Sequence, residues 1–218
     1  MADDITAGEA ARFALTTADG VDLRAELATP TGPVRATAVV CHPHPLHGGN
    51  MYANVVEALF RALPGAGVAT LRFNFRGTSG SDGRHDNGRA ERLDVEAAVT
   101  RLAADHGDVP LVLAGYSFGA DIALAVDHEA VAAWLAVAPP LRIVPRDEQV
   151  ALDDGRRGGH LVVAAHDQFR PPGEVDEIIE PLPRWTAETV QGADHFFAIG
   201  LGQVADAAVR LVDDLTTD

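Results

Sequence analysis

The sequence predicts a doubly wound α/β fold, a mostly parallel sheet covered by helices on both faces with an antiparallel hairpin at its N-terminal edge. Three observations point there. Five short, continuous apolar runs, "ATAVVCH", "VATLRFNF", "VPLVLAG", "AAWLAVA" and "HLVVAAH", have the character of strands buried on both faces. Stretches of helical length separate several of them. Ahead of them all, "RFALTTADGVDLRAELATP" alternates in the manner of two half-buried strands around the turn dipeptide Asp19-Gly20.

Each element follows in chain order. After the hairpin and the first buried run, "CHPHPLHGGNM" (residues 41–51) is a loop stiffened by Pro43 and Pro45 and released by Gly48-Gly49. A helix is expected to begin near Asn50 or Met51 and to run through "YANVVEALFRAL". The strand "VATLRFNF" leads into the loop "FNFRGTSGSDG" and then the helix "RAERLDVEAAVTRLAAD". On that helix Leu93, Ala97, Val99 and Leu102 are expected on the buried face, with Glu91, Asp94 and Glu96 largely off it. Arg76 is expected to pair with Glu91 or Asp94 and so pin the loop over the helix, a structural role. The third run feeds a helix "ADIALAVD", and the fourth is followed by "PPLRIVPRDEQVALDDGRRGG" (139–159), a lid or loop too short for a cap domain. The fifth run and a short strand in "ETVQGADHFFAIG" precede a final helix.

Length and composition set the outer bounds. The 218 residues are expected to form a single domain, 1–218, burying about 70 to 75 % of the unfolded surface without disulfide or metal. The net charge is -15 and all 17 basic residues are Arg, which we read as coding bias. Such a surface repels phosphate backbones and anionic membranes, so neither nucleic acid nor membrane is an expected partner. A lone Cys41, an acidic N-terminus "MADDITAGEA" without an apolar h-region, and no run long enough to span a bilayer place the expected location in the cytoplasm.

The chemistry begins at "GYSFG", where G-x-S-x-G falls between a strand and a helix. A sharp strand-to-helix turn forces Ser117 into a strained conformation and leaves no room for side chains two residues either side, which Gly115 and Gly119 allow. The amide of Phe118 then sits at a helix N-terminus, where it favours negative charge. A serine alcohol needs a base held by an acid, and on such a sheet the acid precedes the histidine. Asp167, just past "HLVVAAH", is the expected acid, with Glu174 and Asp176 as alternates. His195, 28 residues later and before the final helix, is the expected base; His166 is its rival, adjacent to Asp167 and so facing the other way. A second oxyanion donor belongs in the 41–51 loop, where the prolines leave the amides of His44 and Leu46 to point inward. The rival reading of that loop is a metal site of His42, His44 and His47 with His85, Asp82 and Asp86, which an extended proline-rich loop would not bring to one ion.

The chain resembles the α/β-hydrolase superfamily, and within it the small bacterial predicted hydrolases with a His-Pro-His-Pro loop that are dienelactone-hydrolase-like. The segments that carry the resemblance are "CHPHPLHGGNM", "RFNFRGTSGSDG" with "GRAERLDVEAAV", "GYSFGA", "HDQFRPP" and "GADHFF", from about residue 39 to 197. The resemblance implies an α/β-hydrolase fold with little or no cap, a triad of Ser117, Asp167 and His195, and the amides of Phe118 and His44 as oxyanion donors. Dienelactone hydrolases use a cysteine nucleophile, whereas this elbow holds Ser117 and Cys41 lies at the tip of another strand, so the lactone substrate does not carry over. The expected function is cleavage of a carboxylic ester or related acyl bond of a small molecule through a Ser117 acyl-enzyme, with no cofactor and no metal implied. The same triad would serve an acyltransferase, thioesterase or peptidase, and the scaffold alone would serve a binding protein.

Overall fold

The computed structural model describes residues 10–217. The acidic stretch that bears on a secretory signal, residues 1–9, lies outside them. The described elements are β1 (Ala11–Thr16), β2 (Asp22–Ala28), β3 (Ala36–Cys41), α1 (Asn54–Ala62), β4 (Val68–Phe73), α2 (Glu91–His106), β5 (Leu111–Tyr116), α3 (Phe118–Leu124), β6 (Val131–Val137), β7 (Gly158–His166), α4 (Pro172–Ile179), β8 (Trp185–Asp194) and α5 (Leu201–Thr216). The eight strands form a sheet in the order β1-β2-β4-β3-β5-β6-β7-β8. β1, β2 and β4 pair antiparallel and every later pairing is parallel, so the hairpin lies at one edge as its alternation predicts.

Side-chain alternation divides the core into two layers. Val39, Leu111 and Leu113 face a cluster with Val95, Val99 and Leu102 of α2, Ile122 of α3 and Val175 of α4. Their neighbours Ala38, Val40 and Val112 face Val55 and Leu59 of α1 and Val204 and Val212 of α5. β3 through β6 are apolar nearly throughout because both their faces are covered. β5 lies between β3 and β6, so its C-terminal end opens at the centre of the sheet's carboxyl edge, where ligands bind in open α/β sheets.

Two expectations need correction. α1 starts at Asn54 rather than near Asn50 or Met51. Residues 45–47 form a 3-10 turn, and the amides of Met51 and Tyr52 are taken by side chains, Met51 N by Asn74 Oδ1 and Tyr52 N by Asn50 Oδ1, which delays the helix. The inward face of α2 is also different: Glu91 and Asp94 are fully buried beside Val95, Ala98, Val99 and Leu102, whereas Leu93 and Ala97 are half-buried. Both carboxylates have partners that repay their burial. Asp94 takes the Arg76 guanidinium (Nε to Oδ1, 2.8 Å) and the Arg76 amide (2.9 Å). Glu91 takes the amides of Asp86 (2.8 Å) and Gly88 (2.9 Å). Of the two carboxylates expected for Arg76, the structure selects Asp94, with Asp19 as a second.

Among the described residues no helix is long and apolar enough to cross a membrane. The 139–159 segment lies on the body: Leu141, Val144, Gln149, Ala151 and Leu152 are buried. Its anchor is Asp121, one turn into α3, whose buried carboxylate accepts the amides of Leu141 (2.8 Å), Arg142 (2.9 Å) and Ile143 (2.8 Å). The segment is a docked loop, and the fold has no cap among the described residues.

Candidate active site

The tight turn between β5 and α3 places Ser117 at φ 53°, ψ -118°, a positive-φ conformation that is strained for a side-chain-bearing residue. Its amide donates to Val137 O of β6 (2.9 Å), which ties the turn to the neighbouring strand. A Cβ on Gly119 would stand 2.5 Å from Cys41 O, and one on Gly115 would stand 2.3 Å from Gly119 O. Only glycine lets α3 press this closely onto β3 and β5, which gives the two glycines around "YSF" a steric cause.

Ser117 Oγ lies 2.9 Å from His195 Nε2, and His195 Nδ1 lies 2.9 Å from Asp167 Oδ2. The three side chains are brought together from the ends of β5, β7 and β8, and all three are buried, Ser117 least so at 9 % exposure. Asp167 Oδ1 accepts the amides of Phe169 (2.8 Å) and Arg170 (3.1 Å), so the carboxylate is fixed from behind while its other oxygen faces the imidazole. A carboxylate in that position fixes the tautomer with hydrogen on Nδ1 and leaves Nε2 to accept from the serine.

The alternates do not converge here. His166 is exposed on the strand preceding Asp167. Glu174 is on the surface, paired with Arg170 (2.5 Å), and Asp176 is exposed. Cys41 is fully buried, and burial raises its thiol far above the ordinary range, so it offers no thiolate.

The 41–51 loop forms the facing wall. The Leu46 amide donates to His44 Nδ1 (3.2 Å), which takes it out of contention as an oxyanion donor. The amides of His44 and Phe118 have no hydrogen-bond partner among the described residues. Gly49 fits because its missing Cβ would lie 2.1 Å from Pro43 O, so the loop closes on itself. The three histidines part ways. His42 is buried at the tip of β3, its Nδ1 donating to Pro43 O (2.6 Å) and its Nε2 accepting from Phe75 N (3.0 Å). The His44 ring packs on Phe118 (4.9 Å) and His47 (4.6 Å), with burial and its histidine neighbours holding it below the usual imidazole range. Among the described residues no group of three or more His, Cys, Asp or Glu is placed to hold a metal ion.

His42 is thus a neutral strut between the ends of β3 and β4, and burial lowers its pKa to about 4. Folded protein keeps it neutral to that pH, while the unfolded chain takes up a proton below about 6.5. The unfolded state binds more protons in that window, so His42 withdraws about 2 kcal/mol of stability between pH 7 and pH 5. Unfolding free energies from urea titrations at the two pH values are expected to differ by that much more in wild type than in His42→Gln; equal pH dependence would refute the assignment.

Three residues not singled out from the sequence support the site. The Tyr116 hydroxyl donates to His195 O (2.8 Å), holding the loop that carries the imidazole. Asn54, at the start of α1, donates to Phe196 O (2.8 Å) and Phe197 O (3.0 Å) on the same loop. Asp121 braces residues 141–143. Tyrosine within G-x-S-x-G is the one local hint; the other two have none. These elements enclose a cleft of about 520 Å³ with Ser117 and His195 in its wall, bordered by His44, Phe118, Ile143 and Phe169. Its size and mostly apolar walls suit a small organic substrate.

Comparison with known proteins agrees with the fold. The family model for serine aminopeptidase, S33 matches residues 34–175. An uncharacterized protein of Rickettsia prowazekii (strain Madrid E) is 32 % identical over 176 residues, 77 % of this chain and 74 % of the other. Among solved structures, an α/β serine hydrolase homologue from Coxiella burnetii superposes with a TM-score of 0.82 at 31 % identity, covering 96 % of this chain and 99 % of the other. An α/β serine hydrolase without lid from Xanthomonas campestris superposes with a TM-score of 0.83 at 26 % identity, over 99 % and 100 %.

Proposed function

The chain belongs to the serine aminopeptidase, S33 family of α/β serine hydrolases, and from that premise we propose that it cleaves a carboxylic ester or related acyl bond of a small molecule through an acyl-enzyme on Ser117. The observation that carries this reading is the unbroken hydrogen-bond chain from Ser117 through His195 to Asp167 at the wall of an open cleft. Ser117 Oγ attacks the acyl carbon as His195 Nε2 takes its proton, and Asp167 stabilises the imidazolium. The amides of Phe118 and His44 receive the oxyanion, each worth about a hundredfold or more in rate. His195 returns the proton to the departing alcohol. A water activated by the same imidazole then frees the acid.

Ester cleavage is favoured over aminopeptidase action by the wall itself. Recognition of a peptide's α-ammonium calls for a carboxylate, and among the described residues no Asp or Glu lines the cleft. The test is intact-protein mass after exposure to a fluorophosphonate, with p-nitrophenyl butyrate turnover in parallel. One adduct on wild type, absent from Ser117→Ala together with turnover, is the expected result. A folded wild type that neither labels nor turns over the ester would overturn the proposal and leave a binding protein on this scaffold.

A further inference from the structure

The cleft is unusual in its charge. The chain carries 32 acidic residues against 17 arginines, yet among the described residues its wall holds no carboxylate and one guanidinium, that of Arg142. The neighbouring Arg170 is engaged, donating to Pro140 O (2.9 Å) and to Glu174 (2.5 Å). The Arg142 guanidinium has no carboxylate or carbonyl partner among the described residues; it rests over the Phe169 ring at 5.6 Å. Phe169 in turn packs on His195 with centroids 4.4 Å apart. The two contacts together put the charge at most about 10 Å from the imidazole that faces Ser117.

Arg142 is also held in place. Its amide and those of its neighbours end on the buried Asp121 carboxylate, and the preceding turn includes Ala138 (φ 43°) and Leu141 (φ 53°) in left-handed conformations. Such backbone persists only where the surroundings fix it. The nearby buried acids are not free to pair with the guanidinium: Asp121 is filled by three amides, and Asp167 by two amides and His195. A cation presented by a braced turn into an acid-free wall, in a protein of charge -15 that repels anions at long range, is a local recognition feature.

We propose that the substrate is an ester whose acyl chain ends in a carboxylate, a half-ester of a short dicarboxylic acid, held by Arg142 while Ser117 attacks the ester carbonyl. The inference rests on the acyl-hydrolase reading above. The span allows a handful of methylenes between the two carbonyl carbons. The apolar lining of Ile143 and Phe169 accommodates that chain, and the guanidinium fork matches the terminal carboxylate.

The test compares monomethyl adipate with methyl hexanoate, which has a methyl group in place of the carboxylate. Wild type is expected to favour the half-ester by about tenfold or more in kcat/KM, chiefly through KM. Arg142→Gln is expected to reduce the ratio between the two esters at least tenfold, and Arg142→Lys to restore part of it. Binding of the same two esters to Ser117→Ala and to Ser117→Ala/Arg142→Gln, measured by calorimetry, makes the outcome independent of turnover. An affinity ratio unaltered by loss of Arg142, or a wild type indifferent to the carboxylate in both assays, overturns the proposal. Selective binding of the half-ester with no turnover of either ester would sustain the Arg142 assignment and sink the hydrolase reading alone.

Discussion

Asp167→Asn is expected to leave the fold intact and to lower kcat for a short ester about 10⁴-fold. The reason is in the wiring. One oxygen of Asp167 accepts two backbone amides, Phe169 N and Arg170 N, which can only donate. The side-chain amide of an asparagine must therefore turn its oxygen toward those amides and its NH₂ toward His195 Nδ1. That forces the tautomer with hydrogen on Nε2, which can no longer accept the Ser117 proton. Steady-state turnover of p-nitrophenyl butyrate, with circular dichroism to check the fold, measures the effect. The double variant Asp167→Asn/Ser117→Ala is expected to be no slower than Ser117→Ala alone, since residues acting as one unit are not additive. A loss below about tenfold in the single variant would exclude Asp167 from the proposed role.

The largest expected change in stability lies away from the cleft, at the Arg76–Asp94 pair. Both side chains are almost wholly buried, at 5 % and 0 % exposure, and Arg76 also reaches Asp19 through Nη1 at 2.9 Å. Arg76→Met leaves the Asp94 carboxylate in the core with only a backbone amide, which costs about 3 to 5 kcal/mol. Removing both charges, as in Arg76→Met/Asp94→Leu, is expected to recover a large part of that loss, because no ion is then stranded. Urea denaturation of the four proteins closes the cycle. If the double variant is as unstable as the sum of the two singles, the pair is not the unit described.

Much of this molecule is written in short stretches. The apolar runs, the hairpin and the strand-elbow-helix succession around Ser117 depend on residues next to one another, and the elbow glycines are dictated by backbone approach within one turn and its adjoining strand. The order of acid and base is likewise legible, because loops at the carboxyl ends of successive parallel strands open on one edge. The α2 face was misread for a definite reason. Periodicity assigns charged residues outward, and nothing local to Glu91 and Asp94 announces that the loop before them supplies amides to both and a guanidinium to Asp94.

By itself, then, the sequence determined the layered α/β sheet and the residues that the structure brings together as Ser117, His195 and Asp167. The tertiary structure decided which polar groups turn inward and what they hold. It made His42 a strut to Phe75 across 33 residues and set Tyr116 and His195 in contact across 79. It also anchored the Arg142 turn to Asp121 across 21. The physical reason is the same in each case. Burying apolar surface is non-directional and is encoded by composition and period, whereas a buried polar group is tolerated only with a partner at a specific distance and angle, and that partner is chosen by the fold.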